Sequence, residues 1–308
     1  MNELNVDERL NDGLLAIISQ FPPVIGEMLD LNKNTSSHRL RLALFQAISH
    51  LQVRDLTVDQ ITAAQLPELL ALAAQTNPPA FQPAALNPGK VAQIKAGSYV
   101  ASYLMSQFTN RLTKVGNPPQ MIEELTIDGG DFMIAQIQRL QYNYNQRFKV
   151  ANYLADQKAR AGLLAKMSAK QSAVLAANDQ EIVSLSGQIG EAIGVAAAII
   201  HETQQVTTDF TAFCQLVTAG QYPLALLFAS EAQPDWFTNF FNQPHRPSTD
   251  QFNQAHQQAC QQVTAVKGIV TDTLQQVKLD TQVLPTGDCQ QALLAIVAWL
   301  NERCDNLS

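Results

Sequence analysis

The sequence predicts an all-α protein: an elongated helical bundle with long antiparallel helices and a short-helix apolar cap. Three observations predict it. Apolar residues recur at steps of three and four along most of the chain, proline and glycine punctuate the gaps, and no segment alternates as a half-buried strand does. With 308 residues, 46% of them hydrophobic, the chain can bury a sizeable core.

The elements follow in order. "NVDERLNDGLLAIISQF" runs as a helix to Pro22 and Pro23, and "SSHRLRLALFQAISHLQ" starts after a serine cap. Thr57 followed by Gln60 has the spacing of a capping box and opens a third helix. Pro78, Pro79, Pro83 and Pro88 make residues 74–89 an extended connector, because proline removes the amide donor that helix and central strand both need. The predicted organisation is therefore an N-terminal helical segment over 1–73, the connector over 74–89, and a long-helix bundle over 90–308. A helix from Lys90 to Lys114 opens that bundle and "VGNPPQ" closes it.

Residues 131–206 contain no proline. Ile137, Leu140, Tyr144, Phe148, Ala151 and Leu154, then Ile182, Leu185, Ile189, Ile193, Ala196 and Ile200, keep helical spacing throughout. Unbroken, the element would be on the order of 110 Å long. It is expected as one rod or as two stacked helices divided at Asn178-Asp179 or at Gly187, Gly190 and Gly194. Gly129-Gly130 reads as a turn with Asp131 capping the long helix, and the G-x-x-x-G of Gly190 and Gly194 as a place of close helix approach. After Ser248 and Thr249, the seam Phe252, His256, Ala259, Val263, Val266, Val270, Leu274 and Val277 is narrow and coiled-coil-like, so it needs a long partner, which the 131–206 element supplies. A terminal helix follows Pro285–Gly287.

Composition excludes several functions. The formal charge is −7, from 20 basic and 27 acidic residues, without the clustered cations a nucleic-acid face needs. There is no basic-then-apolar leader and no apolar run of about eighteen residues, so neither a cleaved signal nor a membrane span is expected. The cysteines stand singly, and Cys289 and Cys304, on one helix, would sit roughly 22 Å apart, beyond the about 7 Å a disulfide allows. They read as reduced thiols of a protein made in the cytoplasm. No cofactor and no metal is expected. "HETQQ" at His201 has half of a zinc motif but Gln205 where the second imidazole belongs, and His256 with Cys260 falls on the apolar seam. No local motif proposes a catalytic residue.

The remaining candidate is the segment of about 208–245. Leu224, Leu227 and Phe228 lie on one proline-led short helix. Trp236, Phe237, Phe240 and Phe241 share one face of the next. These aromatics either complete the core or contact a membrane surface or a protein partner. On that basis the sequence reads as a non-catalytic protein working through helix-mediated interaction, self-association, or binding of a hydrophobic ligand.

The layout over residues 131–285 resembles the α-helical pore-forming toxins of the cytolysin A type, in which long antiparallel helices flank an apolar head. It matches no motif of that family, and its head reads as proline-separated helices instead of a β-tongue. The resemblance implies a soluble form, released without a cleaved signal, that docks on membranes through the 208–245 cap and oligomerises.

Overall fold

The computed structural model describes residues 6–23, 29, 35–52, 55–76, 88–177, 179–242 and 246–307. Every regular element among them is helical. In chain order they are α1 (Arg9–Ile18), α2 (Thr35–Ser49), α3 (Val58–Ala64), α4 (Leu66–Gln75), α5 (Pro88–Leu112), α6 (Pro119–Tyr142) and α7 (Val150–Gln157). A π turn (Lys158–Gly162) leads into α8 (Leu163–Ala176), followed by α9 (Gln180–Thr208), α10 (Phe210–Thr218), α11 (Leu224–Ala232), α12 (Pro234–Phe241), α13 (Thr249–Gln261), α14 (Val263–Val283) and α15 (Asp288–Asp305).

The centre is the pair α8 and α9. Gly190 and Gly194 make it possible: a Cβ at Gly190 would stand 2.7 Å from the Ala165 carbonyl oxygen, and one at Gly194 would stand 2.6 Å from that of Ala161. The backbones touch there, as the small-residue spacing predicts. Around the pair pack α2, α3, α4 and α6 on α8, and α14, α15 and α2 on α9. One continuous apolar core runs from Leu14 to Leu307, so α1, α2 and α4 share it with the helices after residue 90. The core of the 74–89 connector, residues 77–87, lies outside the described residues. By length and composition α9 alone among the described helices could cross a membrane, although half of that stretch is buried against its neighbours.

Local signals explain most boundaries. Thr57 forms the expected capping box with Gln60, and Ser248 forms a second one with Gln251. Asp179 accepts from the amides of Glu181 and Ile182, which sets the start of α9 and separates it from α8. The 131–206 element is therefore neither one rod nor two helices. It also breaks at residues 143–149, where Tyr144 adopts φ 61°. Its amide donates to the Gly220 carbonyl (2.9 Å) and its hydroxyl to that of Thr218 (3.1 Å), a clamp that holds the unusual backbone. Gly220, at φ 73°, has room for no side chain, since a Cβ would meet the Tyr144 amide at 2.4 Å. Gly129-Gly130 is not a turn. Both lie inside α6, where Gly129 sits beneath the Phe108 ring, and Asp131 is exposed in mid-helix instead of capping it. Pro118 and Pro119 start that helix.

The short-helix segment faces inward. Leu224, Leu227, Phe237 and Phe240 are buried, and Phe228, Trp236 and Phe241 are half-buried and packed against the same core. Trp236 stacks on Phe240 at 5.3 Å, and Phe240 meets Phe252 edge-on at 5.6 Å.

Candidate functional site

Polar residues converge at the end of the bundle where α7 meets the C-terminal half of α9. Tyr153, Asp156 and Arg160 follow each other at helical steps of three and four, which places them on one face of the α7–π run. That face is turned inward: Tyr153, Asp156 and Gln157 are all buried. The Arg160 guanidinium donates to both Asp156 carboxylate oxygens, at 3.0 and 2.5 Å. From α6, Arg139 brings a second guanidinium to 3.7 Å from Asp156 and lies over the Phe148 ring at 5.8 Å. From α9, Glu202 Oε1 accepts from the Tyr153 hydroxyl (2.7 Å) and from the backbone amide of Leu224 at the start of α11 (3.1 Å). Thr203, beside it, is buried with its hydroxyl unpartnered among the described residues. A π turn interrupts the helix at this place, a distortion frequent at functional sites.

The electrostatics are lopsided. Burial raises the Glu202 carboxyl above its ordinary range, against the opposing pull of the Tyr153 and Leu224 hydrogen bonds. Burial, reinforced by the charge of Glu202, pushes the Tyr153 hydroxyl well above its usual value. Burial also lowers Arg139, partly offset by Asp156. Two guanidiniums thus face the Asp156 carboxylate, with the Glu202 carboxyl, raised by burial, in the same cluster. The arrangement can receive an anion, and Glu202 with Tyr153 can hold a proton beside it.

Other polar groups are closed on themselves. Arg41 of α2 forks both oxygens of Glu68 on α4 at 2.6 Å, and His38 Nδ1 lies 2.7 Å from the same carboxylate. Burial there raises the carboxyl, but Arg41 and the hydrogen-bonded His38 outweigh it and hold Glu68 down to about 2. Lys166 pairs with Asp128, and Lys170 with Glu124, at the edge of an open cavity of about 300 Å³ between α8 and α9.

The residues singled out in the sequence fall elsewhere or take different roles. Glu202 of "HETQQ" belongs to the polar cluster, whereas His201 borders a crevice with Ser36, Trp299 and Arg303 on another side of α9. His256 Nε2 bonds the Val206 carbonyl at 2.8 Å, and its ring meets Phe210 and Phe213 edge-on, a structural role. The four cysteines are free thiols. Among the described residues, no group of three His, Cys, Asp or Glu side chains is placed to hold a metal ion. Phe237 and Phe241 of the short-helix segment border an open cleft of about 720 Å³ that Arg147 and Lys149 flank. Tyr153, Asp156 and Arg160 do not stand out in the sequence because the surrounding apolar periodicity reads as core. Three polar residues at steps of three and four on that face were the signal.

The fold is that of the polyprenyl diphosphate synthases. The chain is similar to geranylgeranyl pyrophosphate synthase from Lactobacillus brevis ATCC 367, with TM-score 0.82 and 19% identity over 95% of this chain and 94% of that one. Heptaprenyl diphosphate synthase from Staphylococcus aureus gives TM-score 0.76 and 16% identity over 95% and 98%. A polyprenyl synthase from Caulobacter crescentus CB15, complexed with calcium and isoprenyl diphosphate, gives 0.72 and 13% over the whole of both chains. No protein-family model and no curated protein sequence matches the chain.

These neighbours overturn both functional expectations. The pore-forming toxin resemblance is incorrect, and so is the non-catalytic scaffold or ligand-binding reading, because the shared fold is that of enzymes. The physical source of the error is common to both. Long helices flanking a mid-chain apolar segment also arise when a bundle wraps a buried central helix, and the apolar segment then completes the core instead of docking on a membrane.

Proposed function

We propose that the protein acts on a prenyl diphosphate, with the anionic head at the Arg139–Arg160–Glu202 cluster and the apolar chain among the helices around α8 and α9. The observation that supports this most is the fold shared with polyprenyl diphosphate synthases over more than nine-tenths of this chain and of each neighbour described above. The cluster adds chemistry of the right kind: two guanidiniums for the head, beside a carboxyl and a phenol. In this proposal the long helices α8–α9 and α13–α14 form an elongated antiparallel bundle along which the apolar tail lies. A cytoplasmic location suits a chain whose cysteines are free. Self-association belongs to the proposal as well, through the exposed apolar side chains of α6.

The test is a titration of the full chain with geranylgeranyl diphosphate, read by the fluorescence of Trp236 and Trp299 and by calorimetry. Saturable binding that neither inorganic diphosphate nor the free prenyl alcohol reproduces is expected, followed by conversion to other prenyl products in mass spectra. Absence of binding with and without divalent cations sinks the proposal.

A further inference from the structure

One structural neighbour of this chain holds calcium together with its isoprenyl diphosphate. Calcium takes six to eight oxygen ligands, and magnesium in phosphate sites is held by one or two carboxylates plus the phosphates. The described carboxylates do not supply such a set, because those at or near the interior are each closed by a partner of their own. Glu68 is forked by Arg41, and Asp156 is bonded by Arg160 with Arg139 beside it. Asp128 pairs with Lys166, Glu124 with Lys170, and Glu191 with Lys158. Glu202 accepts from Tyr153 and Leu224, and Asp156, the carboxylate of the same cluster, is already taken up by Arg160 and Arg139. The undescribed residues add little: their side-chain carboxylates are Glu3, Glu27 and Asp30, and residues 77–87 carry no Asp, Glu, His or Cys. A dication brought to Glu202 would also meet two guanidiniums, and like charges at that range repel.

We infer that this chain engages the diphosphate directly, through the guanidinium groups of Arg139 and Arg160, without a bridging divalent cation; the inference rests on the prenyl diphosphate reading above. An anion entering the cluster gains charge-assisted hydrogen bonds from Arg139, which stands 3.7 Å from Asp156 and is not forked onto it, and it relieves the repulsion between the two guanidiniums.

Two measurements on the full chain test this. The first compares calorimetric titration with geranylgeranyl diphosphate in excess EDTA and in millimolar Mg2+. Affinities agreeing within about threefold are expected, and binding at least tenfold tighter with Mg2+, about 1.4 kcal/mol, overturns the inference while leaving the ligand reading intact. No binding in either buffer overturns both. Arg139→Gln should weaken binding at least tenfold and Arg139→Lys less, each with unchanged circular dichroism. Equal affinity in a folded Arg139→Gln chain overturns the assignment of the head group to this cluster. The second measurement needs no prenyl ligand: the paramagnetic resonance of Mn2+ with inorganic diphosphate should show no protein-bound signal, and a bound signal overturns the inference.

Discussion

Glu68 shows what a fully enclosed charge requires of its neighbours. Its carboxylate remains ionised only because Arg41 and His38 approach it within 2.6–2.7 Å. Replacing Arg41 by Met leaves that charge buried without its fork and is expected to cost about 3–5 kcal/mol, measured by urea unfolding at neutral pH. The same residue sets an acid limit. A carboxyl held at about 2 when folded, against 4.5 in a free chain, contributes stability that is complete above pH 4.5 and is lost as pH falls towards 2. Glu202 acts with the opposite sign: its raised carboxyl penalises the folded state as pH rises past the ordinary glutamate range. Thermal unfolding midpoints should therefore fall steeply on acidification in the native chain, and less steeply in Glu68→Gln. An unchanged acid slope in that variant would count against the assignment.

At the scale of single helices, glycine separates two kinds of site that the sequence alone left alike. Gly190 and Gly130 are both helical, but a Cβ at Gly190 meets backbone at 2.7 Å while one at Gly130 meets nothing within 4 Å. Gly190→Ala is expected to destabilise by about 1–3 kcal/mol through overpacking. Gly130→Ala should stabilise by roughly 0.5–1 kcal/mol, both read from chemical denaturation. Residue patterns revealed the elements best where a cap satisfied backbone amides, as at Thr57, Ser248 and Asp179. They failed at Gly129-Gly130, because a glycine pair that breaks a helix in isolation is tolerated where Phe108 packs against it. The short-helix aromatics were placed correctly on one face, yet amphipathic spacing says only that a face is apolar, not whether protein or lipid covers it. Tyr153, Asp156, Arg160, Arg139 and Glu202 come from separate helices, and only the folded chain brings them together.

The whole molecule is one bundle around α8 and α9, with an outer face that its own core does not use. Ile127, Ile134 and Ile137 of α6 are 55, 52 and 60% exposed and fall at helical spacing on one side. A second copy of the chain is the proposed occupant of that face. Sedimentation should show a dimer, and Ile134→Lys with Ile137→Lys should convert it to monomer without loss of helix content; a wild-type monomer at micromolar concentration would refute this. The order of assembly is constrained too. Helix α2 rests against α15, which is the last helix of the chain, so an early segment cannot complete its packing until the ribosome has delivered the latest one. At elongation rates of about 5–20 residues per second that wait is on the order of 10–50 seconds, during which Leu40 and Leu44, buried in the finished protein, have no permanent cover. The surface that covers α2 is thus made long after α2 itself, and chaperones are the natural custodians of the interval.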